Sequence, residues 1–573
     1  MKRIFLHYQE GNPGVTLYAL LRCGLMLLVS ITLTSSPALT QDAFEQTAPA
    51  KYRITFTDKL NSPFSIEAPG AFLSQKALER RQRQKIQISF NDLPVTPAYI
   101  DSLTAAGAKV LTASRWLNAA TIQVFDDLTL ERIAKLTFVK KNVVLKYSTD
   151  KGLAKTEDQI GIQEIITATA MDYGPSWWQV ALHNGHLMHN RGYTGKDITI
   201  AVIDAGFSSA NVLPAFVSLW ENGQVLGTRD FVAAGADVFS GQSHGMSVLS
   251  IIGGLLPGEL VGTAPDADFW LLRSEDVASE FIIEEDNWIA AAEFADSVGV
   301  DIINTSLGYS VFNDTIQNHT YAEMDGNTTR VSRAADLAAS KGMLVVVSAG
   351  NQGNTAWKYI TAPADADSVL TVGAVDQSRF VASFSSRGPA SDGQVKPNVM
   401  AIGKGTYVAN LDGTIKQGSG TSYSAPLIAG LAACLWQANR DATAMELLHA
   451  ICESADRFTQ PDDDYGYGIP DFNLANILLQ INKDDGIVTE PVTVFPNPFS
   501  NELYILFKSP VDEPVDISLY DLSGNELIRT LYPQVAGRSY VKLEGLFDNL
   551  PKGAYLIKIN AGEMSGNSKL IKF

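Results

Sequence analysis

The sequence predicts an α/β chain: a doubly wound, mostly parallel sheet, preceded by a small α/β unit and followed by a β-sandwich. Three observations carry this. In the middle of the chain, short runs that are apolar at nearly every position alternate with longer amphipathic ones. Ahead of them, residues 50–148 repeat strand and helix patterns on a smaller scale. After about residue 490, short runs with period-two alternation recur with no helical pattern between them.

In order along the chain, Lys2, Arg3 and Arg22 precede the apolar run Leu25 to Leu33, and small residues follow around Ser36-Pro37-Ala38. Charged start, short apolar segment and small residues predict a secretory signal over residues 1–40, too short for a comfortable membrane span. In residues 50–148, Lys51 to Phe56 alternates like a strand. Pro97 to Ala106 reads as a helix, Ala119 to Phe125 as a strand, Leu128 to Leu136 as a helix and Asn142 to Tyr147 as a strand, close to a ferredoxin-like order. Residues 149–178 show little pattern and read as a linker open to cleavage.

Residues 179–483 hold the main sheet. Ile198 to Ile203, Phe269 to Leu272, Val300 to Ile303 and Met343 to Val347 read as buried strands, with helices at Trp288 to Val298 and Ala334 to Ser340 between them. Strands apolar on both faces imply a parallel sheet covered on both sides, with its site at the strands' C-terminal ends. In residues 490–573, Leu503 to Phe507, Val515 to Tyr520, Tyr540 to Leu543, Ala554 to Ile559 and Lys569 to Phe573 alternate between turn signals, which predicts the sandwich.

The bulk composition limits function. Of 573 residues, 46% are hydrophobic and 18% charged, a globular composition. A net charge of −18 argues against a nucleic-acid partner, because phosphate binding needs clustered Lys and Arg. Beyond Cys23 in the signal there are only Cys434 and Cys452, which read as two buried thiols, with a bridge between them left open.

Four residues stand where chemistry is made. Ser422, in Gly418-Ser419-Gly420-Thr421-Ser422, precedes a helical run. A helix N-terminus favours developing negative charge, but a serine hydroxyl needs a base to become a nucleophile. The glycines at 418 and 420 suggest close approach by substrate backbone, and Pro426 is expected in the helix's first turn. His244, one of seven histidines, opens another helix in Ser243-His244-Gly245 and can relay a proton near neutral pH. Asp204 ends the apolar strand Ile198 to Ile203, where a carboxylate can hold a histidine tautomer. Asn351 follows the strand Val345 to Val347, where a side-chain amide can donate to an oxyanion alongside the Ser422 N–H. Each alone also reads as a turn or a helix cap. His183, His186 and His189, spaced to line one helix face, lack a completing acidic or cysteine ligand and are expected on an ordinary surface helix.

Taken together, AVIDAGF, SHGMSV, NTSLGYS, SAGNQGN, SFSSRGP and GTSYSAP resemble the motifs of the subtilisin family, in the family's order and over roughly residues 195–475. That resemblance implies a secreted serine endopeptidase acting on polypeptides through an acyl-enzyme. Ser422 would be its nucleophile, His244 its general base, Asp204 the orienting carboxylate and Asn351 an oxyanion donor. Ser306, Leu307 and Gly308 would pair with substrate backbone and line the first specificity pocket. Two departures stand out: Met246 where the family has Thr, and Tyr423-Ser424 where it has Met-Ala. No cofactor is implied; calcium is common in the family, but no ligand cluster marks a site. The 50–148 unit resembles the family's propeptide, an inhibitor of its own enzyme. The C-terminal unit, through Val494 to Phe499, Leu519 to Gly524 and Lys569 to Phe573, resembles the sorting domain of the type IX secretion machinery of Bacteroidetes. The protein is therefore expected to pass the periplasm and end secreted or on the cell surface. The alternatives are a catalytically silent adhesion protein on the same scaffold, or a maturation protease with one partner.

Overall fold

The computed structural model describes residues 50–146 and 171–483 and, in the C-terminal part, residues 492–495, 497–499, 501–507, 513–533 and 540–573. The expected signal and residues 149–170 of the expected linker lie outside the described residues.

The central sheet has seven strands in the spatial order Val399–Ile402, Leu370–Val375, Leu344–Ser348, Ile302–Thr305, Thr199–Asp204, Asp268–Arg273 and Val225–Asp230. Every adjacent pair is parallel. Successive side chains on a strand point to opposite faces. Ile200, Val202, Ile302 and Val346 therefore enter one buried layer, with the helices His244–Gly253 and Thr421–Ala438. Ala201, Ile203, Ile303 and Val345 enter the other, with the helices Ile283–Val298 and Arg330–Ser340. This double burial is why the strands read as unbroken apolar runs. The strand Thr199–Asp204 comes first in the chain. The next two strands build to one side of it and the last four to the other. The reversal opens a crevice at the C-terminal ends of Thr199–Asp204 and Ile302–Thr305.

The N-terminal unit is an antiparallel sheet in the order Lys109–Ser114, Ala119–Val124, Ala50–Phe56, Val139–Lys146. Its helices Pro97–Ala105 and Asp127–Ala134 complete the expected ferredoxin-like arrangement around a core that includes Ile54, Leu103, Ile122 and Ile133. A further helix, Gln75–Arg83, was not expected. It carries Arg80 and Arg81 onto the helix Ile283–Val298 of the central domain. There Arg80, Arg81 and Arg115 converge on Asp296, the last two at 2.9 and 2.5 Å. One turn back, the Glu293 carboxylate accepts from Ser114 Oγ (2.6 Å), Arg115 N (2.8 Å) and Trp116 N (3.0 Å). Arg53 adds a paired contact to Asp286.

The C-terminal unit is the expected sandwich. One sheet joins Val492–Phe495, Glu502–Phe507 and Tyr540–Glu544; the other joins Glu526–Tyr532, Val515–Tyr520, Gly553–Ala561 and Met564–Lys572. Between them lie Phe499, Leu503, Ile505, Ile517 and Ile557. A second apolar seam joins the sandwich to the central domain, where Leu474 and Leu478 meet Tyr504, Leu506 and Tyr540.

One expectation is corrected here, and the reading of Cys434 and Cys452 as two buried thiols is borne out. The three histidines do not share a surface helix. Two short helices, Trp177–Ala181 and Gly185–His189, break between them, and His183 and His189 are buried. His183 Nδ1 lies 3.1 Å from the Pro470 carbonyl. His189 is held between Tyr173 Oη (2.7 Å) and the Thr263 carbonyl (2.9 Å). Burial lowers the pKa of all three, that of His183 to about 4. Cys434 and Cys452 are both free and buried, with no bridge between them.

Candidate active site

Asp204 is the last residue of the central strand and is fully buried. Its Oδ1 accepts from the Ala205 N–H (2.7 Å) and stands 2.7 Å from His244 Nδ1. Oδ2 is also buried and has no hydrogen-bond partner among the described residues. His244 is the first residue of its helix, and the residue after it must be small. A β-carbon on Gly245 would lie 2.6 Å from the Gly206 carbonyl and 2.8 Å from Asp204 Cβ. A larger residue would push the histidine off the carboxylate.

The His244 ring lies over the ring of Tyr423, with centroids 6.0 Å apart, and Tyr423 follows Ser422 in the first turn of the helix Thr421–Ala438. Tyr423 also accounts for Gly418. A β-carbon there would come within 2.6 Å of the Tyr423 ring, so this glycine makes room for the tyrosine. That corrects its expected role of admitting substrate backbone, and it pairs the Tyr423 departure with a compensating residue. The other departure, Met246, is buried in the core layer behind the site.

Pro426 is likewise displaced from its expected place. It is the sixth residue of the helix, beyond the first turn. With no N–H, it leaves the carbonyl four residues back, that of Ser422, without its helical donor. Ser306 Oγ supplies the missing hydrogen bond at 2.9 Å, and Ser422 Oγ donates in return to the Ser306 carbonyl at 3.2 Å. Ser306 stands just past the end of the neighbouring strand Ile302–Thr305, so Ser422 and this strand wall are joined twice.

Asn351 follows the next strand, Leu344–Ser348. Its Oδ1 accepts from both Thr421 N (2.9 Å) and Thr421 Oγ1 (3.0 Å). Two donors on one atom fix the amide's orientation and leave Nδ2 to donate outward. The Ser422 N–H, in the first turn, has no carbonyl within the helix to bond to. Leu307 is half-buried and Gly308 exposed, continuing the wall from Ser306. All seven residues singled out in the sequence thus gather at the crevice. The sequence reading missed Thr421, which locks the Asn351 amide, and its position beside Ser422 was the available signal. Among the described residues, no group of three or more His, Cys, Asp or Glu is placed to hold a metal ion.

Comparison with known proteins agrees in outline. Residues 195–468 match the Subtilase family, residues 51–160 the peptidase S8 propeptide domain of Bacteroidota, and residues 493–572 a secretion system C-terminal sorting domain. The serine protease AprX of Bacillus subtilis is 30% identical over 305 residues, covering 48% of this chain and 65% of AprX, just under two thirds of its length. Subtilisin E of Bacillus subtilis is 27% identical, covering 58% of this chain and 74% of its own length. A subtilisin of Bacillus pumilus is 30% identical, covering 43% of this chain and 80% of its own length.

Proposed function

Because the chain belongs to the subtilase family of serine peptidases, we propose that Asp204, His244 and Ser422 are its catalytic triad and that it hydrolyses peptide bonds within polypeptides. The observation that carries this is the 2.7 Å contact between a fully buried carboxylate and His244 Nδ1. It favours the tautomer in which Nδ1 carries the proton and Nε2 is unprotonated, able to act as the base. Ser422 Oγ leaves the Ser306 carbonyl, gives its proton to His244 Nε2 and attacks the substrate carbonyl carbon. The negative oxygen that forms is met by Asn351 Nδ2–H and the Ser422 N–H, at a helix N-terminus whose dipole favours it. His244, now cationic and stabilised by Asp204, returns the proton to the leaving amine as the C–N bond breaks. Water, activated by the same histidine, then hydrolyses the acyl-enzyme.

The flanking units set when and where this happens. We read the N-terminal unit as a propeptide that blocks the enzyme until it is removed, and the C-terminal sandwich as the export signal that delivers the protein outside the cell or to its surface. The test is Ser422→Ala. It should abolish peptide hydrolysis and labelling by a fluorophosphonate while leaving the fold intact. Labelling retained in that variant would refute the assignment, and a wild-type chain that neither labels nor cleaves would mark a silent scaffold instead.

A further inference from the structure

Where the chain leaves the two adjacent strands Ile302–Thr305 and Leu344–Ser348, the Ser348 hydroxyl donates to the Leu307 carbonyl at 3.5 Å. One chain passes through Gly308 and the other through Gly350, and both lie beside the reacting groups: Ser306 is bonded to Ser422, and Asn351 follows Gly350 directly. A substrate whose carbonyl carbon meets Ser422 Oγ and whose oxygen meets Asn351 Nδ2 must send the adjoining side chain between these two walls. The mouth is open, since Gly308 and Asn351 are exposed. The far end is closed where Tyr309 and Ala362 exchange backbone hydrogen bonds at 2.8 and 3.1 Å.

Between the walls sits Thr361. A β-carbon added at Gly308 would collide with its Oγ1, and one added at Gly350 would stand 2.9 Å from the same atom. The hydroxyl therefore touches both walls and leaves no room for a side chain beneath it. It is buried, yet it has no hydrogen-bond partner among the described residues. What it contributes here is volume.

We infer that Thr361 is the floor of a shallow slot, and that the enzyme cleaves after small residues of the size of alanine or serine and rejects aromatic, long aliphatic and long cationic ones. This deepens the proposed function and rests on it. The experiment digests a peptide library with the mature enzyme, reads cut sites by mass spectrometry, and measures kcat/KM on matched peptides with Ala, Ser, Leu, Phe or Lys before the scissile bond. Ala and Ser should exceed Phe and Lys by about tenfold or more, the scale on which a pocket discriminates by size. Thr361→Gly should raise kcat/KM for Phe or Leu relative to Ala by about tenfold. Thr361→Val, with the same volume and no hydroxyl, should keep the preference for small residues. A wild-type preference for Phe, Leu or Lys overturns the inference whether or not the variants fold, and so does a Thr361→Gly profile unchanged within about twofold. If fluorophosphonate labels Ser422 and peptides are cut at bulky sites, only the slot reading fails. If the wild-type chain neither labels nor cuts, the triad reading fails and the slot falls with it.

Discussion

Replacing Asp296 by alanine should weaken the hold of the N-terminal unit on the enzyme without touching the catalytic groups. Asp296 lies on the central domain, and all three guanidinium groups on it come from the N-terminal unit. Burial alone would raise its pKa. The three arginines reverse that and hold the carboxylate at about 2, against an ordinary value of 3.8. The docked state therefore favours the ionised form by roughly 2 kcal/mol. Because the pKa is depressed, this contribution is present in full above the ordinary value and drains away as pH falls from about 4 to about 2. Truncation costs more, since it strands buried cations; breaking such a pair costs about 3–5 kcal/mol. The lower end applies here. Arg80 keeps the Val300 and Lys341 carbonyls, Arg81 keeps Asp92, and Arg115 keeps the Glu293 carbonyl. The segment of residues 50–146 has a core of its own, so it can be added as an inhibitor of the mature enzyme. Its inhibition constant against Asp296→Ala should rise about 10²-fold, with turnover of a small peptide unchanged. A rise of less than about threefold would show that the apolar contacts carry the docking and that the charge cluster is neutral to it.

Asn351→Leu should slow turnover by about 10²–10³-fold, the scale known for oxyanion asparagines of this family, with little change in KM; an effect confined to KM would make Asn351 a binding residue. Deleting the chain after residue 488 should preserve hydrolysis in cell extracts and abolish export. It should also lower Tm, because Leu474 and Leu478 lose their cover from Tyr504, Leu506 and Tyr540; a truncated enzyme that stays folded but inert would place the sandwich in the substrate site.

Four of the seven central strands were legible because double burial writes itself as apolar runs, and the site residues because each follows such a run or opens a helix; Leu370–Val375 and Val399–Ile402 are buried throughout as well but went unread, the first interrupted by Thr371 and Gly373 and the second only four residues long. Val225–Asp230 was not legible. It is the sheet's edge, most of its side chains are half or fully exposed, and nothing in its sequence separates it from a loop. The helix Gln75–Arg83 was missed for the opposite reason: apart from Ala77 its buried residues are Arg80 and Arg81, whose burial depends in large part on Asp296, more than two hundred residues away. The same limit hid the fates of His183 and His189, since a helical spacing of three says nothing about a break at Leu182 to Asn184. Gly418 and Pro426 were assigned by local rules, to substrate approach and to a first turn. Both proved to answer a neighbour, the ring of Tyr423 and the hydroxyl of Ser306.

That last pairing bears on how catalysis survives motion. A proline at position 426 removes one rung from the helix behind the nucleophile, and the vacated carbonyl is tied to the wall along which a substrate would lie. The proposed nucleophile is thus referenced to the proposed substrate track as well as to its own helix. On the proposed mechanism, the hydrogen bond from Ser306 to the Ser422 carbonyl couples the two residues, so a small shift of the helix would carry both and hold the gap between attacking oxygen and bound carbonyl carbon. Rate depends on that gap and hardly at all on where the pair sits in the domain. A break in regular secondary structure here makes the reacting distance more tolerant of drift in the scaffold around it.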